Sequence, residues 1–185
     1  MQTLAPPTSG IPKRELYAHV CEQLQALLEG EEDFVANLAN TAALLFHSLP
    51  DVNWAGFYLA QGEELVLGPF QGKPACVRIP FGKGVCGTAA STGEPVLVPD
   101  VNDFPGHIVC DPDSRSEIVL PLMTWGRVLG VLDIDSALLG RFDDDDCEGL
   151  ESVVSILLAQ SGGTVPDLNA EANQTAEASD GDFEP

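Results

Sequence analysis

Two apolar segments separated by a short turn constrain the fold of this chain more than any other feature. The first, SEIVLPLMTW, covers residues 116–125, and the second, VLGVLDIDS, covers residues 128–136. Both are rich in valine, isoleucine and leucine, and the Gly126-Arg127 pair between them is a turn signal. The two segments therefore predict an antiparallel β-hairpin, the clearest one in the sequence.

Helices are predicted before and after this hairpin, with shorter strands between. Apolar residues at helical spacing predict helices at 15–29 and 32–48, and four aspartates mark the start of another at 143–161. A glycine loop leads into a short helix at 81–93. Further strands are predicted at four places: 54–60, 64–70, 75–80 and 95–100. Because strands and helices do not alternate, we expect an α+β domain with a central, mostly antiparallel sheet and helices packed mainly on one face.

The length of 185 residues favours one ordered domain with short extensions. Residues 1–14 are predicted to form a flexible N-terminal arm, and residues 15–161 a single domain. The last segment, 162–185, contains six acidic and no basic residues, with few large apolar ones. We expect it to be an acidic disordered tail.

The charge of the chain limits its partners. The sequence has 29 acidic and 8 basic residues, for a net charge of −21. Nucleic acids and anionic membranes are poor partners for such a surface. No apolar run approaches the length of a membrane span, and the N-terminus lacks the apolar centre of a secretory signal. A cytoplasmic location is therefore expected.

Five cysteines, an odd number in a chain without a signal, argue against a structural disulfide framework. They form no C-x-x-C pair, so neither a zinc ribbon nor a thioredoxin-type motif fits. Cys21 and Cys147 lie in predicted helices and are interpreted as structural. Cys76, Cys86 and Cys110 lie in the strand-rich half and are candidates for redox chemistry.

The sequence around two of these cysteines predicts reactive thiols. Cys86 opens the predicted short helix, where free backbone amides and the helix dipole are expected to lower its pKa. Cys110 lies on a loop followed by DPDSR. Arg115 in that loop is either the cation that holds the Cys110 thiolate or the partner of Asp111 or Asp113.

Carboxylates and aromatic residues supply the other half of a possible site. Asp133 and Asp135 lie two apart on a strand and so share one face, while Glu117 begins an apolar strand. Acids that open onto a partly apolar cavity have raised pKa values and can donate a proton near neutral pH. Trp54 and Tyr58 share a face and offer an aromatic wall. Taken alone, the aspartates could simply end a strand, and the aromatics could be core.

Together these segments resemble a known enzyme family. NWAGFYL, LVLGPFQGKPACVRIPFGKGVCGTAA, PVLVPDVNDFPGHIVCDPDSRSEIVLPL and VLGVLDIDS are similar to the free methionine-R-sulfoxide reductases, which are built on a GAF domain. The resemblance covers about residues 15–161. It implies reduction of the R epimer of free methionine sulfoxide without a cofactor. It also implies a homodimer that thioredoxin regenerates.

The resemblance implies roles for individual residues. Cys110 matches the cysteine usually assigned as the nucleophile, although the order in which Cys110 and Cys86 act stays open. Cys76 and Cys86 match the cysteines that recycle the enzyme. The substrate pocket is matched by five residues: Trp54, Tyr58, Glu117, Asp133 and Asp135.

A chemical requirement links these residues. A sulfoxide sulfur accepts a thiolate only if its oxygen is protonated or strongly hydrogen-bonded as charge develops. Cys110 is expected to attack, with Glu117 or Asp135 as the proton donor. Asp133 is expected to pair with the substrate ammonium, and Trp54 to cover the methyl group. Methionine leaves, the resulting sulfenic acid condenses with a second thiol, and an external reductant reopens the disulfide.

Two other readings are weaker. One is a non-catalytic GAF domain that senses a small molecule or a redox state, but no second domain is predicted to receive its signal. The other is a metal site formed by His107, Cys110 and Cys86, whose spacing matches no familiar ligand pattern. No metal or other cofactor is therefore predicted.

Overall fold

A computed structural model of the protein describes residues 10–161. The predicted tail at 162–185 and residues 1–9 of the predicted arm lie outside the described residues. Helix α1, Lys13–Leu28, begins two residues earlier than predicted. Among the described helices, none is both long and apolar enough to cross a membrane.

The sheet is the centre of the domain. Its strands are β1 Trp54–Gln61, β2 Glu64–Gln71, β3 Arg78–Pro80, β4 Val96–Val98, β5 Ser116–Thr124 and β6 Arg127–Ser136. They are arranged in the order β3-β2-β1-β6-β5-β4, and every neighbouring pair is antiparallel. The predicted β5–β6 hairpin is confirmed. Strand β3 is shorter than the predicted 75–80, because only its last three residues pair with β2.

Three long helices cover one face of the sheet. Besides α1 they are α2, Phe34–Ser48, and α4, Asp144–Gln160; a short helix α3, Gly84–Thr92, lies on the opposite face. The aspartates predicted to start α4 do so, because the Asp143 side chain accepts hydrogen bonds from two backbone amides of its first turn. The α+β prediction, with helices mainly on one face, is confirmed.

Alternation along β1 divides its side chains between two apolar clusters. Ala55, Phe57 and Leu59 join the larger cluster beneath the long helices. Trp54 and Tyr58 point the other way, into a smaller cluster with residues of α3. Full burial of each large apolar side chain contributes roughly 2 kcal/mol, so the larger cluster supplies most of the driving force. The candidate site lies on the face of the sheet that carries the smaller cluster.

Candidate active site

Strand register aligns the predicted site residues in rows. Glu117 on β5 pairs with Asp135 on β6, and Asp135 pairs in turn with Trp54 on β1. In the neighbouring row, Asp133 pairs with Gly56. Directly paired residues of antiparallel strands point to the same face of the sheet. Three carboxylates and one indole ring therefore start from one surface, as the two-residue spacing predicts.

A cavity lies over this surface. Five predicted site residues line it: Cys86, Cys110, Glu117, Asp133 and Asp135. Apolar side chains, among them Ile79 and Ile108, complete its wall. The sheet supplies the carboxylates, α3 supplies one thiol, and the loop before β5 supplies the other. Residues separated by up to 56 positions in sequence, Ile79 and Asp135, thus meet in one small volume.

The thiol on that loop is already paired. Cys110 forms a disulfide with Cys76, with Cα atoms 5.4 Å apart and a sequence separation of 34. Cys21, Cys86 and Cys147 are free. The pairing joins two of the three cysteines singled out for redox chemistry, and the structure therefore represents the oxidised form.

The electrostatics of Cys86 differ from the sequence prediction. The Cys86 thiol donates a hydrogen bond to Oε1 of Glu117, with Sγ and Oε1 3.8 Å apart. The residue is only 4% exposed. Burial, followed by the charges of Asp133 and Glu117, raises its pKa well above the ordinary value. The prediction of a lowered pKa is wrong, because the start of α3 faces buried carboxylates instead of solvent.

The three carboxyl groups hold protons more tightly than usual. Burial, with the charges of Asp133 and Asp135 added, raises the pKa of Glu117 well above its ordinary value. Burial and the charge of Asp133 do the same for Asp135. Burial raises the pKa of Asp133 to about 7, although hydrogen bonds with Cys86 and Glu117 oppose the shift. The cavity therefore contains carboxylic acids near neutral pH, as predicted.

Asp133 has spare hydrogen-bonding capacity. The residue is 6% exposed, and its Oδ1 has no hydrogen-bond partner within residues 10–161. A buried carboxylate oxygen without a partner is costly, so a cationic or hydrogen-donating ligand is favoured there.

The same cluster also has metal-ligand geometry. One potential ligand atom each from Cys86, Glu117 and Asp133 lies within 4.8 Å of the other two. A metal ion needs deprotonated ligands, whereas burial favours the protonated form of all three groups. The donor set thus suits proton donation better than metal binding.

The two predicted aromatic residues stack beside the site. The Trp54 ring lies 5.9 Å from that of Tyr58 and 5.3 Å from that of Phe70, centroid to centroid. Trp54 and Tyr58 are 2% and 1% exposed, and neither lines the cavity. The indole Nε1 donates to the Lys73 carbonyl at 3.1 Å. The two rings share one face, as predicted, and form a wall behind the carboxylates.

The predicted pairing of Arg115 with Asp111 or Asp113 is wrong. Its guanidinium lies 3.9 Å from Oδ2 of Asp100. Asp111 and Asp113 are instead paired with Lys73, whose Nζ lies 3.2 Å from Asp111 and also contacts Asp113. Lys73 comes from a different segment, so adjacency in sequence pointed to the wrong cation.

Two polar residues lie beside the carboxylates without having been predicted there: His107, considered only as a metal ligand, and Ser114. Nε2 of His107 lies 3.7 Å from Oε2 of Glu117, and burial lowers the pKa of this imidazole. Ser114 is hydrogen-bonded to Asp135. Both belong to the loop that carries Cys110. Their closeness to Cys110 in sequence was the only feature that could have indicated a place in the site.

Comparisons with known proteins identify the family of this chain. The sequence model of the GAF domain family matches residues 33–161. The free methionine-R-sulfoxide reductase of Escherichia coli (strain K12) is 55% identical over 145 residues, which are 78% of this chain and 88% of the relative.

Solved structures extend the likeness. The free methionine-R-sulfoxide reductase of Neisseria meningitidis, solved in complex with its substrate, has a TM-score of 0.81 and 45% identity, covering 94% of this chain and 99% of that one. A putative GAF sensor protein from Burkholderia vietnamiensis has a TM-score of 0.80 and 53% identity, covering 83% and 98%. On the family match and this level of identity, the chain belongs to the GAF-domain family of free methionine-R-sulfoxide reductases.

Proposed function

We propose that this protein reduces free L-methionine-R-sulfoxide to L-methionine with electrons from thiols, as an oxidoreductase acting on a sulfur group. The observation that carries the proposal is one cavity lined by a disulfide-forming cysteine, Cys110, and by three carboxyl groups with raised pKa values. The names of the E. coli and N. meningitidis relatives support the same substrate and reaction.

In the first step the Cys110 thiolate attacks the sulfoxide sulfur. Glu117 or Asp135 donates a proton to the sulfoxide oxygen, so that negative charge does not build up on it. The methionine sulfur gains two electrons and leaves as a thioether. The oxygen and its proton remain on Cys110 as a sulfenic acid.

Asp133 is proposed to select a free amino acid. Its unpartnered Oδ1 is suited to accept a hydrogen bond from the substrate ammonium. An ammonium beside Asp133 also favours the ionised carboxylate, because opposite charges lower a carboxyl pKa. A methionine sulfoxide within a polypeptide has no such charge and gains nothing from this contact.

The aromatic wall is proposed to bind the methyl group of the substrate. Trp54 covers this group and favours one sulfoxide epimer by shape, while Tyr58 supports the indole by stacking. Neither ring lines the cavity of the disulfide form. This role therefore requires that the cavity extends to the indole once the disulfide is reduced.

Recycling is proposed to pass through the Cys76–Cys110 disulfide. The Cys76 thiolate attacks the sulfenic sulfur of Cys110, and the oxygen leaves as water. Cys86 also lines the cavity and is free in this form. It is proposed as an alternative first partner, which forms a transient disulfide with Cys110 that Cys76 then resolves.

The external reductant is proposed to be thioredoxin. A cytoplasmic homodimer is proposed on the family resemblance.

The test is an assay of the purified protein with separate epimers. We expect methionine from free L-methionine-R-sulfoxide with either dithiothreitol or a thioredoxin system. The S epimer and N-acetylmethionine-R-sulfoxide, which lacks the ammonium, should be reduced far more slowly. No turnover of either free epimer would contradict the enzyme.

The alternative is a sensor that binds a small molecule or reports redox state without catalysis, a reading favoured by the name of the B. vietnamiensis relative. A sensor should bind a ligand or form the disulfide without releasing methionine. The epimer assay separates the two functions, because catalytic release of methionine is inconsistent with a sensor alone.

A further inference from the structure

An ion-pair bridge, in addition to the disulfide, joins the segment before Cys76 to the loop after Cys110. Lys73 Nζ lies 3.2 Å from Oδ1 of Asp111 and contacts a carboxylate oxygen of Asp113. We propose that Lys73 is a positioning residue whose bridge keeps the two segments together in the reduced protein, so that Cys76 stays within reach of Cys110 during recycling. The proposal rests on the recycling step proposed above.

The bridge includes one buried partner. The side chain of Asp111 is 4% exposed, whereas that of Lys73 is 57% exposed. Asp111 also accepts hydrogen bonds from the Asp113 amide at 2.9 Å and from Asn53 Nδ2 at 3.3 Å. Removing the Lys73 ammonium leaves the poorly solvated Asp111 carboxylate with fewer favourable electrostatic contacts. This loss costs more free energy than the loss of a fully exposed ion pair.

Charge states agree with a persistent bridge. Burial acts to raise the pKa of Asp111, but hydrogen bonds from the Asp113 amide and from Lys73 outweigh it, and the pKa lies below its ordinary value. Hydrogen bonds to Asp113 and Asp111 raise the pKa of Lys73. Both partners of the pair are therefore ionised near neutral pH.

Lys73 is also fixed to the sheet through its main chain. Its carbonyl accepts the hydrogen bond from Trp54 Nε1 at 3.1 Å, and Trp54 is a buried residue of β1. One residue thus ties the Cys76 segment to the sheet through its backbone and to the Cys110 loop through its side chain. A change of the Lys73 side chain breaks the second link and leaves the first in place.

The bridge acts on the second step of the cycle and not on the first. When the Cys76 thiolate attacks the Cys110 sulfenic acid, a sulfur–sulfur bond forms and the oxygen leaves as water. The rate and equilibrium of this closure depend on the effective concentration of Cys76 at Cys110. Attack of Cys110 on the substrate does not involve Cys76 and does not depend on the bridge in this way.

The experiment measures the disulfide equilibrium without any methionine sulfoxide. The protein is equilibrated in mixtures of reduced and oxidised dithiothreitol, and alkylation with mass spectrometry quantifies the Cys76–Cys110 disulfide. Lys73→Met should lower its equilibrium constant by about fivefold, the scale of a partly exposed ion pair. Lys73→Arg should restore it, and high salt should shrink the difference between wild type and Lys73→Met.

Arg78→Met is the matched control. Arg78 lies two residues after Cys76 and pairs with Glu64 at 3.1 Å, but both side chains are exposed and neither belongs to the Cys110 loop. This variant should match wild type. A Lys73→Met equilibrium equal to wild type, or an equal decrease in Arg78→Met, would overturn the proposal.

A second variant covers the case in which Lys73→Met fails to fold. Asp113→Asn removes the exposed partner of the bridge and should lower the same equilibrium constant by about twofold. No decrease in that variant would also overturn the proposal. Because no sulfoxide is present, a protein that fails the epimer assay disproves the proposed function without affecting this result.

Discussion

The sulfur of Cys86 lies 3.8 Å from Oε1 of Glu117, and both side chains are buried in the wall of one cavity. Burial raises the pKa of both groups well above their ordinary values. Both therefore favour the protonated form, in which the contact joins a thiol to a carboxylic acid. Burial, against the opposing hydrogen bond from Cys86, thus favours the proton on Glu117 that the proposed reduction requires. Burial also makes Cys86 a poor first nucleophile.

Single-turnover experiments separate the roles of the three cysteines. Without an external reductant, Cys110→Ser should release no methionine, because the nucleophile is lost. Cys76→Ser and Cys86→Ser should each release about one equivalent, because the sulfenic acid still forms on Cys110. Methionine is quantified by chromatography after rapid quenching. If Cys86→Ser loses that equivalent while Cys110→Ser keeps it, the assignment is reversed.

Glu117→Gln should slow the first step by roughly a hundredfold, the usual scale for loss of a general acid. The substitution keeps the size and polarity of the side chain but removes its acidic proton. Asp135→Asn should have a comparable effect if Asp135 is the donor. The rate of methionine release under single-turnover conditions is the readout. Wild-type rates in both variants would remove these residues from the role.

Asp133→Asn should stabilise the protein more at pH 8 than at pH 5. The pKa of Asp133 is about 7 in the folded protein, against about 3.9 when unfolded. The folded state binds the extra proton between these values, so the contribution of Asp133 to stability is complete below about pH 4 and is lost as pH rises through 7. Removing the charge cancels that loss, and the melting temperature at pH 8 should rise by at least about 3 °C.

Thermal unfolding of the same variant at both pH values checks this sign. Asp103→Asn, a change at an exposed aspartate, is the control. Equal pH dependence of the melting temperature in the two variants would show that the fold does not hold Asp133 in its protonated form.

Gly56→Ala should destabilise the fold by about 2 kcal/mol, because the site has no room for a side chain. A Cβ there would lie 2.3 Å from Cβ of Phe70 and 2.7 Å from Cη2 of Trp54. The Trp54 ring would have to move from its place over the strand. Urea unfolding gives the free energy, with Gln61→Ala at the exposed end of β1 as control. A loss no larger than in the control would contradict this packing.

Local patterns predicted the elements that carry the site. The apolar runs around Gly126 defined the β5–β6 hairpin, and two-residue spacing placed Asp133 and Asp135 on one face. The start of α4 followed from its aspartates, because helix capping is a local effect. These features depend on neighbours in sequence, which is why sequence reasoning reached them.

The electrostatics of the site depend on contacts that sequence does not display. Burial beside carboxylates reversed the expected pKa shift of Cys86, since the register that brings Glu117 and Asp133 beneath α3 is a tertiary property. In the same way, the cation that pairs with Asp111 is Lys73, from the turn after β2, whereas Arg115 lies beside Asp100. The choice of Cys76 as the partner of Cys110 also needed the fold.

The most direct test of the account is the stoichiometry of one turnover. Fully reduced protein is mixed with a limiting amount of free L-methionine-R-sulfoxide and no other reductant, and both methionine and the cysteine pairing are quantified. We predict one methionine for each Cys76–Cys110 disulfide formed. Methionine without that disulfide, or a disulfide that forms without methionine, would contradict the proposed chemistry of this cavity.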